Sequence, residues 1–139
     1  MKLYRNIAIV QTTVASKKEA QKLAALILKK RLGACIQIAP INSFYRWRGK
    51  IESANEFLVS VKTTVSIAAK CTAFIKKNHP YELPEIIVTN AKADHDYARW
   101  IAKEMKLPTR SNLRGILAKE DKMPQPHKHL IKDNCRCHP

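Results

Sequence analysis

A β-branched run that leads straight into an amphipathic helix does most to restrict what this chain can become. Asn6–Thr13 (NIAIVQTT) is short, apolar and rich in β-branched residues, so it reads as a buried strand. Ser16 follows, with Glu19 three residues later, which is the spacing of a capping box. Ala20, Leu23, Ala24, Ile27 and Leu28 then recur at helical spacing, with Lys22, Lys29 and Lys30 on the opposite side. The pattern predicts a helix over about Lys17–Leu32, ended by Gly33 in the left-handed conformation.

The same alternation continues downstream. Ala34–Pro40 (ACIQIAP) is a second strand. Ser43–Arg48 (SFYRWR) alternates aromatic and basic residues at period two, and Gly49 makes the turn. Glu56–Thr63 is a third strand. A second helix begins after Thr64, with Ile67, Cys71, Phe74 and Ile75 on one face. It stops before Pro80, because a residue preceding proline avoids the helical region. Glu85–Asn90 is a fourth strand, and Asp94–Lys106 is a closing helix with Tyr97, Trp100, Ile101 and Met105 inward. The order β-α-β-β-α-β plus a helix predicts an α+β, ferredoxin-like sandwich. Its hairpin from Cys35 to Thr63 is long enough to project, and a projecting aromatic hairpin suggests an interface through Tyr45 and Trp47.

From about Leu107 the pattern is lost. The expected organisation is one domain over residues 1–106 and a basic, mobile extension over 107–139, with a short helix near Leu113–Glu120. The chain carries 26 Lys and Arg against 11 Asp and Glu, a net charge of +15. That balance attracts polyanions, so an acidic protein or a nucleic acid is a candidate partner, with Arg46, Arg48 and Lys50 as phosphate contacts. No segment reaches the roughly 20 apolar residues of a membrane span. The apolar run Ile7–Val10 is shorter than a signal-peptide core, and cysteines Cys35 and Cys71 sit in apolar segments. A cytoplasmic protein is expected.

Catalytic signatures are missing. There is no Ser-His-Asp logic, and with three glycines a phosphate cradle is excluded as a reading, so neither an enzyme nor an organic cofactor is expected. His79–Glu85 (HPYELPE) is the densest polar motif. His79, Glu82 and Glu85 could serve a copper or zinc ion, with a further donor from elsewhere in the fold or from another subunit. The alternative is that the two prolines simply bend a helix into a strand. His127-x-His129 and Cys135-x-Cys137-His138 are weaker metal candidates, one residue too close for the usual cysteine pair.

RLGACIQIAP, SFYRWRGKIE, EFLVSVKTT, HPYELPEIIV and DYARWI, in that order, resemble CutA, the divalent-cation tolerance proteins. The resemblance runs from about Ile7 to Ile101. It implies a ferredoxin-like protomer in a tight homotrimer whose hairpins extend neighbouring sheets. It also implies a non-enzymatic protein that binds Cu(II) or another divalent cation in metal-ion tolerance or response. A PII-like regulatory or interaction module, or a basic nucleic-acid-binding module, is the alternative. Of the metal ligands the resemblance implies, His79 is present, Asn78 stands where some members have a second histidine, and about Thr12 stands where they have a cysteine. The loop after Pro40 looks one residue short, and Ala15-Ser16 replaces the usual Pro-Asp or Pro-Asn.

Overall fold

A computed structural model describes residues 3–106. The predicted extension 107–139, with its short helix and its histidine and cysteine motifs, lies outside the described residues.

Seven elements follow the expected order: β1 (Tyr4–Val14), α1 (Lys17–Lys29), β2 (Cys35–Trp47), β3 (Lys50–Thr63), α2 (Ala68–Asn78), β4 (Ile86–Asp94) and α3 (His95–Met105). The strands form one antiparallel sheet in the order β2-β3-β1-β4. Each of α1 and α2 therefore connects strands that have another strand between them.

Strand alternation divides the sheet into two faces. Ala8, Val10 and Val14 of β1, with Val59 and Val61 of β3, meet Ala20, Leu23 and Ile27 of α1 and Ala68, Cys71 and Ile75 of α2. The wholly buried valines and isoleucines among these, Val10, Val59, Val61, Ile27 and Ile75, each stabilise the fold by about 1.5–3 kcal/mol. Burial also pushes the Cys71 thiol up to about 11, so it acts as a small hydrophobe. On the other face, Ala98, Ile101 and Met105 of α3 pack on Ile7.

Local chemistry accounts for most element ends. The Glu19 amide donates to Ser16 Oγ at 3.1 Å, capping α1 as expected. Asp94 accepts from the amides of Asp96 and Tyr97 and so starts α3. Helix α2 stops at Asn78, and His79 before Pro80 is extended with ψ 134°.

Two expectations need correction. Helix α1 ends at Lys29, not Leu32. Arg31, at φ 54°, takes the left-handed position, its amide donating to Leu28 O and the Leu32 amide to Ile27 O. Gly33 is needed for space instead: a Cβ there would lie 2.4 Å from Val61 Cγ1 and 3.1 Å from Ile27 Cγ2. The segment after Pro40 is also not a loop. Strands β2 and β3 are continuous from Cys35 to Trp47 and from Lys50 to Thr63, joined by a two-residue turn at Arg48 (φ 51°) and Gly49 (φ 79°).

Gly33→Ala is expected to cost about 1–3 kcal/mol through overpacking against Val61. Urea unfolding measures it, and a loss below a few tenths would show that the Val61 side chain moves aside freely.

Candidate functional site

The central strand β1 pairs with β3 only over Phe57–Thr63. Residues 50–56 of β3 pair with 41–47 of β2 and with nothing else among the described residues. The hairpin therefore leaves the sheet as a two-stranded ribbon, cross-linked by Asn42 Nδ2 donating to Asn55 Oδ1. Alternation places Ser43, Tyr45 and Trp47 on one face and Phe44, Arg46 and Ile51 on the other. Phe44 is 77% exposed and Ile51 73% exposed. Tyr45 is exposed and Trp47 half-buried.

The His79–Glu85 segment folds against the base of this ribbon. His79 Nε2 donates to the Thr13 carbonyl at 2.8 Å, and His79 Nδ1 accepts from the Tyr81 amide at 3.1 Å. That pattern fixes the neutral Nε2–H tautomer. Tyr81 meets the His79 ring edge-on, with centroids 4.7 Å apart, and its hydroxyl donates to Glu56 Oε2 at 2.8 Å. A single polar chain thus runs from β1 through His79 and Tyr81 to Glu56 of β3. Glu56 is only 8% exposed. Across the ribbon turn, Arg48 Nη2 bonds Glu82 Oε2 at 3.1 Å, with both side chains largely in solvent. Between ribbon and loop lies an open groove of about 920 Å³, lined by Tyr45, Trp47, Glu56, Tyr81, Glu82 and Glu85 among others.

The structure therefore brings the predicted interface residues Tyr45 and Trp47 to the same groove as Glu82 and Glu85. Sequence reasoning missed Glu56 and the donor role of Tyr81. The only local signal for them was the aromatic between Pro80 and Glu82. A cation cage is a different matter. Both ring nitrogens of His79 are already hydrogen-bonded within the chain. Asn78 turns back to its own helix, donating to Phe74 O at 2.8 Å, and Thr12 Oγ1 is buried without a hydrogen-bond partner among the described residues. Among the described residues no three His, Cys, Asp or Glu side chains gather to hold a metal ion. The described residues of one chain do not fit a closed transition-metal site as they stand.

Arg46, Arg48 and Lys50 also do not form a separate basic stripe. Arg48 is paired with Glu82 and lies over the Trp47 ring at 5.5 Å, and Arg46 lines the groove that Glu56 and Glu85 share.

Burial first, then the Glu56 carboxylate, push the Tyr81 phenol well above its ordinary value. A raised folded pKa gives stability that is complete below the unfolded phenol value near 10 and is lost as pH rises through the folded value. Tyr81→Phe is expected to cost about 1 kcal/mol at neutral pH. It is also expected to flatten the alkaline loss of stability, compared by urea unfolding at pH 8 and above pH 10. A variant that loses stability above pH 10 as steeply as wild type would show that another group titrates there.

The family described as CutA1 divalent ion tolerance protein matches residues 8–104. The human Protein CutA is 34% identical over 98 residues, 69% of this chain and 55% of that protein. The Arabidopsis thaliana Protein CutA, chloroplastic, is 36% identical over 95 residues, 67% of this chain and 52% of that protein. The chain thus spans about half the length of these relatives. The structure of the periplasmic divalent cation tolerance protein CutA from Archaeoglobus fulgidus superposes with a TM-score of 0.70 at 34% identity, covering 72% of this chain and 99% of that one. One relative is named chloroplastic and another periplasmic, which overturns the expectation of a cytoplasmic chain. A short apolar N-terminal run does not determine compartment. With the matched residues covering all seven elements except the first four residues of β1 and the last of α3, this chain belongs to the CutA1 divalent ion tolerance protein family.

Proposed function

We propose that the chain acts as a non-enzymatic homotrimer in divalent-cation tolerance, with cation binding and assembly meeting in the groove between ribbon and loop. The observation that supports this most is the shared location. The face carrying Tyr45 and Trp47 and the loop carrying Glu82 and Glu85 line one open groove. A two-stranded ribbon is marginal alone in water. Exposed Phe44 and Ile51 make this one a poor free-standing element and a good one to cover with a second copy. A symmetric ring of three closes such contacts.

Cation binding draws on Glu82 and Glu85, which line the groove, and on His79, which does not line it and packs against the groove residue Tyr81. His79 contributes only when its ring gives up the bond to Thr13 O or the bond from the Tyr81 amide. Glu82 contributes only in competition with Arg48. Each exchange lowers the affinity for Cu(II). Carboxylate oxygens favour harder divalent ions, and a neighbouring subunit is the natural source of a further donor.

Two measurements test this. Light scattering at micromolar concentration is expected to give three times the 15.9 kDa chain mass. Tyr45→Ala with Trp47→Ala is expected to shift it toward one, and a monomeric wild type would end the assembly reading. Cu(II) titration is run with His127, His129, Cys135, Cys137 and His138 replaced in every sample. There, His79→Ala is expected to weaken binding about tenfold or more. Equal binding with and without His79 would remove it from the site.

A further inference from the structure

The lysines of α1 and α2 form a surface that neither the groove nor the cation reading uses. Both helices lie on one face of the sheet, and their apolar sides already meet β1 and β3. Lys17, Lys18, Lys22, Lys29 and Lys30 of the α1 segment and Lys70, Lys76 and Lys77 of α2 are all exposed. Glu19 is the one acidic residue in either helix. Among the described residues, none of these lysines has a carboxylate partner. Lys30 instead lies over the Phe74 ring at 5.6 Å, which ties the end of α1 to α2.

Part of this charge works against the fold. Lys17 and Lys18 occupy the first turn of α1, where the helix dipole disfavours cations. Lys18 and Lys22 are four apart, a repelling pair on a helix surface. The strand directions make α1 and α2 antiparallel, so the start of α1 and the end of α2 lie at the same end of the layer. Lys17, Lys18, Lys76 and Lys77 therefore concentrate there, with Glu19 as the one acidic residue of the two helices to offset them.

We propose that this helix layer is a docking surface for the phosphate backbone of duplex nucleic acid, without base readout. A helix of 13 residues is about 20 Å long. A duplex offers one charge per roughly 1.7 Å of its axis, so lysines along the layer each find a phosphate. Single strands are held by exposed stacking aromatics, and this face has only the half-buried Phe74. An anionic membrane wants a helix with an apolar face free to insert, whereas here those faces pack on the sheet.

The test uses the full chain and a labelled 20-base-pair duplex of arbitrary sequence, with anisotropy read across a salt series. Wild type is expected to bind with a log–log salt slope of roughly −4 or steeper. Replacing Lys17, Lys18, Lys76 and Lys77 by Gln is expected to weaken binding about tenfold or more at 0.1 M salt and to reduce the slope by roughly 0.9 per lysine. The same number of tail substitutions (Lys119, Lys122, Lys128 and Lys132 to Gln) and a ribbon variant (Arg46, Arg48 and Lys50 to Gln) serve as controls. No duplex binding at low salt overturns the proposal, as does a helix-layer variant that binds like wild type or a loss confined to the tail or ribbon variants. Vesicles of anionic lipid binding more tightly than the duplex also overturn it. Because four substitutions could impair folding, lysine acetylation of wild type with and without duplex is read by mass spectrometry. Protection at Lys17, Lys18, Lys76 and Lys77 but not at Lys50 supports the surface, and the reverse pattern refutes it. None of these readouts depends on copper, so the cation reading can fail while this one holds.

Discussion

Strand β3 is longer than the strand that should cover it, and the rest of the molecule follows from that mismatch. β1 supplies ladder partners only as far as Phe57. Beyond it, residues 50–56 have β2 on one side and an open backbone edge on the other. A sheet edge of this kind is either blunted, covered or used. Charges blunt it partly at Glu52, Arg46 and Lys50, yet Phe44 and Ile51 stay in solvent. The His79–Glu85 loop lies along one side of the ribbon, bonded to Glu56 at its base and to Arg48 at its turn, and the groove lies between the two.

The chain from Thr13 through His79 and Tyr81 to Glu56 holds that loop in place. It satisfies a backbone carbonyl of β1 and places a buried carboxylate under a phenol. A histidine committed at both nitrogens positions the loop, and its metal chemistry is available only at the cost of that position. This links the two roles the HPYELPE motif suggests. The prolines end α2 and lead into β4, and the histidine just before them joins the bend to the sheet.

Element order was readable because helix and strand periods differ cleanly here. The capping box at Ser16, Asp94 before α3 and Pro80 after α2 each act through local bonds. The readings that failed depended on distant residues. Gly33 looked like a helix cap, but its Cβ is excluded by Val61, which is remote in sequence, while Arg31 tolerates the left-handed turn. The segment after Pro40 reads as a loop at Ile41-Asn42, and only pairing with Asn55 and Glu56 makes it strand. Which sheet face receives α3 is invisible to periodicity, since an amphipathic helix fits either face equally well. The groove was equally hidden: it joins the ribbon to a loop more than thirty residues further on, as the Arg48–Glu82 pair shows.

Charge is also sorted by the fold in a way composition conceals. A net charge of +15 suggests a uniformly basic surface. Instead, Glu56, Glu82 and Glu85 collect around the groove, while the lysines collect on the helix layer behind the sheet. The groove is of mixed sign, because Arg46 lines it and Arg48 pairs with Glu82, whereas the helix layer carries lysines with Glu19 as its one acidic residue. Self-repulsion among the lysines weakens the protomer, and ions of the solvent screen it only partly. The same segregation leaves the groove with aromatics and charges of both signs, and leaves the helix layer with the charge that draws polyanions.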